Sequence, residues 1–180
     1  MGGYRLTQIL KPEGVVVSTA LDSFIPFVDF FVVFYIAYYL FLLIPVIVYW
    51  KGYRDYWKMM LSFLAAILIS LAVYAGFQTE VVRPGVEGTG LFSQLVLGVY
   101  QADRPVNALP SLHVSLTLLA VLFVFGRSRR LGLAILPLAT LNVLSTLFIK
   151  QHAVLDVLAG AGLGAVVFRY RDAFKLGREV

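Results

Sequence analysis

The run FFVVFYIAYYLFLLIPVIVYW, residues 30–50, is 21 residues long and contains no charged side chain. A helix that crosses a bilayer needs roughly 20 apolar residues at about 1.5 Å of rise each. Met59 to Thr79 adds another 21 uncharged residues, and Leu131 to Ile149 adds 19. Two runs of 16 residues, Ser111 to Gly126 and Ala153 to Phe168, have basic flanks that can reach the interface. The sequence therefore predicts an all-α membrane bundle of about five transmembrane helices.

The composition of the whole chain agrees with this prediction. Of 180 residues, 60% are hydrophobic and 14% are charged, and the mean hydropathy is +0.86. A water-soluble domain of this length needs more polar surface, so a soluble enzyme is excluded, as are disorder and a coiled coil. The chain contains no cysteine, which excludes disulfides and thiolate metal sites. The length predicts a single domain over residues 1–180.

Basic residues are unevenly shared between the two sides that five spans define. Cytoplasmic loops are the ones enriched in lysine and arginine. We therefore expect an extracytoplasmic amino terminus and a cytoplasmic carboxyl terminus in the cell membrane. We interpret the arginines after the third span as a topology signal and not as a nucleic-acid surface. The ten residues on the predicted cytoplasmic side are Lys51, Arg54, Lys58, Arg127, Arg129, Arg130, Arg169, Arg171, Lys175 and Arg178, and the five on the other side are Arg5, Lys11, Arg83, Arg104 and Lys150.

Two segments lie outside the predicted spans. Residues 1–23 contain only a short apolar stretch, Val15 to Ala20, and are expected to lie at the membrane interface. Residues 80–109 form a long extracytoplasmic connection. Its apolar residues between Leu91 and Tyr100 recur at helical spacing, which predicts a short helix on the membrane surface. The alternative is a lid that covers the bundle.

The sequence contains two histidines, His113 and His152, each at the outer end of a predicted span and on the same side. Ionisable groups at this depth are costly and tend to be functional. His152 and Asp156 are four residues apart at the start of the last span, so they share a helix face. A carboxylate there fixes the tautomer and leaves the other ring nitrogen free to attack. The alternative is a polar contact between helices within the membrane.

Two further motifs are suited to anions. Pro110-Ser111-Leu112-His113 opens the third span with a favoured N-cap serine, so free N–H groups and the positive end of the helix dipole face outward. Arg83 directly follows the second span, and its planar guanidinium can bond two phosphate oxygens. The alternatives are an ordinary capped helix for the first motif and an interfacial anchor for the arginine.

In chain order the motifs are Arg83-Pro84, Pro110-Ser111-x-His113 and His152-x-x-x-Asp156-x-x-Ala159-Gly160. This combination resembles the type 2 phosphatidic acid phosphatase (PAP2) superfamily over roughly Leu71 to Phe168. The resemblance implies a PAP2-like helical bundle whose members act on phosphate esters.

The resemblance also implies a role for each matched residue. His152 would be the nucleophile that takes the phosphoryl group, and Asp156 would orient it. His113 would protonate the leaving oxygen. Ser111 and Arg83 would bind the substrate phosphate.

The sequence departs from the superfamily pattern at two cationic positions. Gly76 stands where the first motif has a lysine, and Thr146 stands where the third motif begins with an arginine. Lys150, four residues beyond Thr146, is expected to supply one of the missing charges. Residues 145–152 and 103–109 resemble a branch that includes inositol phosphorylceramide synthase-like proteins. The alternative function is therefore a phosphotransferase that moves a phosphate-containing head group to an alcohol.

Three polar residues are weaker candidates for substrate contacts. Asp29, near the outer end of the first span, is expected to line the substrate cavity or to pair with Arg83. Asp103 and Asn107 are expected either to bind an acceptor alcohol or to cap a loop.

Small and aromatic residues are interpreted structurally. Gly160 and Gly164 are four residues apart and predict a face for close helix packing. The many aromatic residues, including Tyr35, Tyr38 and Tyr39, are predicted to be mostly lipid-facing or interfacial.

Together these residues provide what phosphoryl transfer needs, namely a nucleophile, an acid and fixed positive charge. The sequence holds no carboxylate cluster of the kind that binds Mg²⁺, so we expect metal-independent chemistry without a cofactor. The expected partner is a lipid phosphate from the bilayer: phosphatidic acid, phosphatidylglycerol phosphate, or an isoprenyl phosphate or diphosphate. An alternative of another class is a non-catalytic lipid-binding membrane protein. The sequence leaves the oligomeric state open.

Overall fold

The structure, a computed structural model, describes residues 14–173 and is almost entirely helical, which confirms the predicted all-α bundle. Residues 1–13 of the predicted interfacial segment, and Lys175 and Arg178 of the basic set, lie outside the described residues. The elements are β1 (Val15–Val16), α1 (Ala20–Ser23), α2 (Val32–Phe41), α3 (Leu43–Tyr49), α4 (Tyr53–Gly76), β2 (Thr79–Glu80), α5 (Leu91–Ala102), α6 (Leu112–Arg127), α7 (Arg129–Phe148) and α8 (Val154–Arg169), with 3₁₀ turns at Asp29–Phe31 and Arg171–Ala173.

The first predicted span consists of the 3₁₀ turn at Asp29–Phe31 followed by α2 and α3, with a break at Leu42. Pro45 explains the break, because it has no backbone N–H to donate to the carbonyl of Phe41 four residues before it. The combined helical segment Asp29–Tyr49 is still long and apolar enough to cross a membrane.

The second predicted span is longer at one end and shorter at the other. Helix α4 begins at Tyr53, six residues before Met59, because the chain holds no helix breaker between Gly52 and that point. It ends at Gly76, and Thr79 belongs to β2 instead of the helix. Strand β2 pairs in parallel with β1, so this end of the helix meets the segment before the first span.

Within residues 14–173, three helical segments are long and apolar enough to cross a membrane: Asp29–Tyr49, α4 and α7. Helices α6 and α8 have 16 residues each, or roughly 24 Å at 1.5 Å of rise per residue. That is shorter than the hydrocarbon core, which is about 30 Å thick. That α6 and α8 also cross the bilayer stays a prediction.

Helix α6 is the central helix of the bundle, and ten of its 16 residues are buried. It packs most extensively against α7 and α8 and also contacts α3 and α4. The outer surface carries large exposed apolar side chains, such as Leu40, Ile47, Leu68 and Leu158. Lipid is the solvent that such a surface fits, since water would penalise it.

The helix predicted within residues 80–109 is confirmed as α5. It packs against the turn Asp29–Phe31 and α2, and Val96 is completely buried at that contact. Its position on the membrane surface stays a prediction. Strand β2 also bridges to Val106, so both ends of the connection lie together.

Candidate active site

His152 and Asp156 lie together as predicted, but they do not share a helix face, because His152 lies in the turn before α8. Nδ1 of His152 is 3.5 Å from Oδ2 of Asp156, and the carboxylate is completely buried. Asp156 is in the first turn of α8, where its Oδ2 also accepts a hydrogen bond of 2.7 Å from the backbone N–H of Ala153. The carboxylate therefore caps the helix and faces Nδ1 of the imidazole, which is buried and makes no hydrogen bond among the described residues.

The turn before His152 is closed by the end of α7. The backbone N–H groups of Gln151 and His152 both donate to the carbonyl of Thr146, at 2.9 and 3.1 Å. Lys150 adopts a left-handed conformation there, with φ of 54°. This geometry reverses the chain from α7 into α8 and brings the histidine to the start of the new helix.

The Lys150 side chain is directed to the segment before the first span. Its Nζ donates to the backbone carbonyls of Asp22, at 2.9 Å, and Ile25, at 2.5 Å. Asp22 in turn accepts a hydrogen bond of 2.8 Å from the backbone N–H of Val154. In this geometry the ammonium group fastens the amino-terminal segment to the α7–α8 turn, so its expected role as a phosphate ligand receives no support from these contacts.

Ser111 joins the starts of α6 and α8. Its backbone N–H donates to the carbonyl of Asp156 at 3.1 Å, and its Oγ caps α6 by accepting from Val114 N–H at 3.3 Å. The two helices approach so closely at Gly160 that a Cβ on this residue would lie 2.5 Å from the Ser111 carbonyl oxygen. A Cβ on Gly164 would similarly lie 2.8 Å from the next helical turn of α6. The predicted glycine packing face is confirmed.

His113 is held rigidly in the first turn of α6 and is 6% exposed. Its Nε2 lies 3.1 Å from Oδ1 of Asn142 on α7. The rings of Tyr35 and Tyr38 both stack on it, with centroids 4.6 and 3.7 Å away. Which of the two nitrogens of this ring carries the proton depends on its tautomer.

Arg83 lies at the carboxyl end of α5. Its Nη1 donates to the carbonyls of Tyr100, at 3.3 Å, and Asp103, at 2.8 Å, and its guanidinium stacks on the Tyr100 ring. Helix carboxyl ends favour cations in this way. Nη2 donates to Oε1 of Gln151, which places the arginine beside the residue that precedes His152.

Tyr100 fixes this arrangement to the α7–α8 turn. Its hydroxyl donates a hydrogen bond of 2.7 Å to the carbonyl of Ile149. Burial raises the pKa of Tyr100 to about 12, so the hydroxyl keeps its proton and remains a donor at neutral pH.

The three weaker candidates have structural contacts. Oδ2 of Asp29 accepts a hydrogen bond of 2.6 Å from Ser93 and so links the first span to α5. Asp103 ends α5 and offers its carbonyl to Arg83. Asn107 is 1% exposed, has φ of 63° and donates its backbone N–H to Gln78, as a loop-forming residue does. Contact of these residues with an acceptor alcohol stays a prediction.

Four residues at the site were not found by sequence reasoning. The prediction that Tyr35 and Tyr38 face lipid is wrong, because both stack on His113, whereas Tyr39 is 60% exposed as expected. The other two residues are Asn142 and Gln151. The sequence signal that could have found Asn142 is its position as a lone amide in an apolar span, and the signal for Gln151 is its position next to His152.

Buried polar atoms without a protein partner are concentrated at this end of the bundle. Among the described residues they include Nδ2 of Asn142, Nε2 of Gln151 and Oδ1 of Asp156. Such atoms are rare in folded proteins and often mark functional sites. Within residues 14–173, no group of three histidine, aspartate or glutamate side chains is arranged to hold a metal ion.

The fold and this site define a helical membrane protein with two histidines, a buried carboxylate and an arginine at one end of its bundle. A family model of the PAP2 superfamily matches residues 10–170. The chain belongs to the PAP2 superfamily, whose members are phosphatases and phosphotransferases. It is accordingly an integral membrane protein with a phosphatase-type function on lipid phosphates at the level of the superfamily. No curated protein and no solved structure matches the chain.

Proposed function

We propose that the protein is a membrane phosphatase that hydrolyses a lipid phosphate through a phosphohistidine at His152. The observation that carries the proposal is the imidazole held 3.5 Å from the completely buried Asp156 carboxylate, with Nε2 left to attack. The substrate class is a lipid phosphate monoester or diphosphate, such as phosphatidic acid, phosphatidylglycerol phosphate or an isoprenyl phosphate.

In the first step, Nε2 of His152 attacks phosphorus and the N–P bond forms. The P–O bond to the leaving group breaks, and the leaving group is the lipid alcohol of a monoester or the lipid monophosphate of a diphosphate. His113 enters this step as the imidazolium and gives its Nδ1 proton to the leaving oxygen, which leaves the ring neutral. In the second step, water attacks phosphorus, its proton passes to His113, and the N–P bond breaks to release inorganic phosphate. Asp156 stabilises the positive charge on the nucleophilic imidazole throughout.

The transition-state charge on the phosphoryl oxygens needs fixed donors. Arg83 supplies a positive charge that is held in place by the end of α5. The positive end of the α6 helix dipole supplies further stabilisation. Because the protein fills each of these roles, the proposed reaction is independent of metal ions.

Phosphate release by the detergent-purified protein tests the proposal. The substrates are phosphatidic acid, phosphatidylglycerol phosphate and isoprenyl mono- and diphosphates, each with EDTA present. We expect release that His152→Ala abolishes. If a labelled phospholipid forms only when inositol or another alcohol is added, the protein is a phosphotransferase. If neither reaction occurs, the non-catalytic alternative holds.

We also propose that the site faces the extracytoplasmic side and that the carboxyl terminus is cytoplasmic. The chain has no cysteine, so single engineered cysteines report their own side of the membrane. A membrane-impermeant maleimide should label Glu87→Cys in intact cells and Gly126→Cys only after permeabilisation. Both positions are exposed. The reverse labelling pattern would overturn this orientation.

A further inference from the structure

Gln151 lies between the left-handed Lys150 and the proposed nucleophile His152, and only 4% of its surface is exposed. Its backbone N–H is fixed by the carbonyl of Thr146. Its side-chain Oε1 accepts a hydrogen bond from Nη2 of Arg83. Both ends of the residue are therefore held in place.

The bond from Arg83 determines which way the amide of Gln151 points. With Oε1 committed to the guanidinium, Nε2 presents two N–H donors on the other side of the amide. This nitrogen is buried and has no hydrogen-bond partner among the described residues. A buried donor of this kind is stabilised by an acceptor oxygen that enters the site.

The charges around the site favour an anionic acceptor. The Nη2 and Nη1 groups of Arg83 bring a positive charge to the same place. Gly76 and Thr146 stand at the two positions that the sequence pattern reserves for cations, and the Lys150 ammonium is bonded to backbone carbonyls of the amino-terminal segment. A neutral amide with free donors is therefore the group that lies beside the arginine.

We propose that Gln151 is a substrate-binding residue whose Nε2 donates to a phosphoryl oxygen, next to Arg83. This rests on the proposed function of the site and specifies how the site binds phosphate without the two missing cations. The ligand chemistry is a phosphate dianion, whether it belongs to a lipid head group or to the inorganic product.

Gln151→Glu separates the two functions of the side chain. The carboxylate still accepts from Arg83, but it has no N–H to donate and adds a negative charge beside the phosphate. A hydrogen bond to a charged group corresponds to roughly a 10- to 100-fold change in affinity. We therefore expect the dissociation constant for inorganic phosphate and the KM for the lipid phosphate to rise about that much. The kcat should change far less than it does in His152→Ala.

The matched control is Gln94→Glu, which makes the same chemical change on α5. Gln94 is exposed, and its side-chain amide donates to the carbonyl of Thr89. Gln151→Met serves as a second variant, since it removes the donors without adding charge. It should also weaken phosphate binding, and its thermal midpoint shows that the protein is folded.

Binding of inorganic phosphate is measured by ³¹P line broadening on the purified protein, separately from turnover. If both Gln151 variants bind phosphate as the wild type does, or if the wild type binds none, the inference is overturned. If the wild type hydrolyses no lipid phosphate but binds phosphate in a way that depends on Gln151, the inference holds and the proposed phosphatase function fails.

Discussion

Replacement of Gly160 by alanine tests whether the α6–α8 contact positions the proposed catalytic groups. The new Cβ would lie 2.5 Å from the carbonyl oxygen of Ser111 and 3.1 Å from Cβ of Val114. The first distance is about 1 Å short of an ordinary van der Waals contact. The obstacle is backbone, which cannot rotate away, so α6 and α8 must separate at the point that joins Ser111 to Asp156.

The expected loss of stability and activity in Gly160→Ala follows from the packing at this contact. Insertion of an extra methyl group into a tight contact costs about 1–3 kcal/mol. For a domain of this size that corresponds to a fall in thermal midpoint of roughly 2 to 12 °C. A displacement approaching 1 Å between His152, just before α8, and His113 on α6 reduces the rate about 100-fold.

Gly162→Ala is the matched control, because Gly162 is exposed on the same helix and a Cβ there meets no atom within 4 Å. It should leave the activity unchanged and gain up to about 1 kcal/mol of helix stability. Thermal unfolding in detergent and phosphate release are measured for both variants. If Gly160→Ala matches Gly162→Ala in both assays, the contact does not position the site.

Three further predictions concern Lys150, Asp156 and Asp22. Lys150→Met should lower the thermal midpoint and leave the KM within about twofold of wild type, because the Lys150 ammonium bonds backbone carbonyls. A large increase in KM with unchanged stability would instead indicate that Lys150 is a phosphate ligand. Asp156→Asn retains an oxygen for the Ala153 N–H but loses the carboxylate charge, so kcat should fall roughly 10²- to 10⁴-fold with little change in the thermal midpoint. Burial by itself raises the pKa of the Asp22 carboxyl. Hydrogen bonds from Thr19 and from a backbone N–H of α8 outweigh this effect and lower the pKa below 3.8. The stability that the Asp22 carboxylate contributes is present above that pH and is lost as the pH falls through the lowered pKa. Below about pH 4 the thermal midpoint of the wild type should therefore fall more than that of Asp22→Asn. Parallel pH profiles of the two thermal midpoints would contradict this.

Local features of the candidate site could be predicted from the sequence. His152 and Asp156 are close because they are only four residues apart in the chain, although His152 lies in the turn before α8 and not within the helix. Ser111 caps α6 because proline and serine precede an apolar run, and α5 forms because its apolar residues repeat at helical spacing. Each of these outcomes depends on a few neighbouring residues.

The directions of individual side chains could not be predicted in the same way. Tyr35 and Tyr38 occur in a run that is apolar on every face, so the sequence offers no pattern to distinguish lipid from the protein interior. Only the packing of α2 against α6 and α7 turns them toward His113. Likewise, Lys150 follows Thr146 by one helical turn, but the left-handed turn at Lys150 directs its side chain to the amino-terminal segment.

The sequence by itself determined the all-α membrane class, the approximate spans and the order of the three motifs, because apolar run length and helical spacing are local properties. Only the tertiary structure decided that Gln151 bonds Arg83 and that Asn142 holds His113, since these partners are 68 and 29 residues apart in the chain. It also decided the pairing of β1 with β2. Contacts over such separations depend on how whole helices pack, and in a nearly uniform apolar sequence that packing is set by close steric fit, as at Gly160.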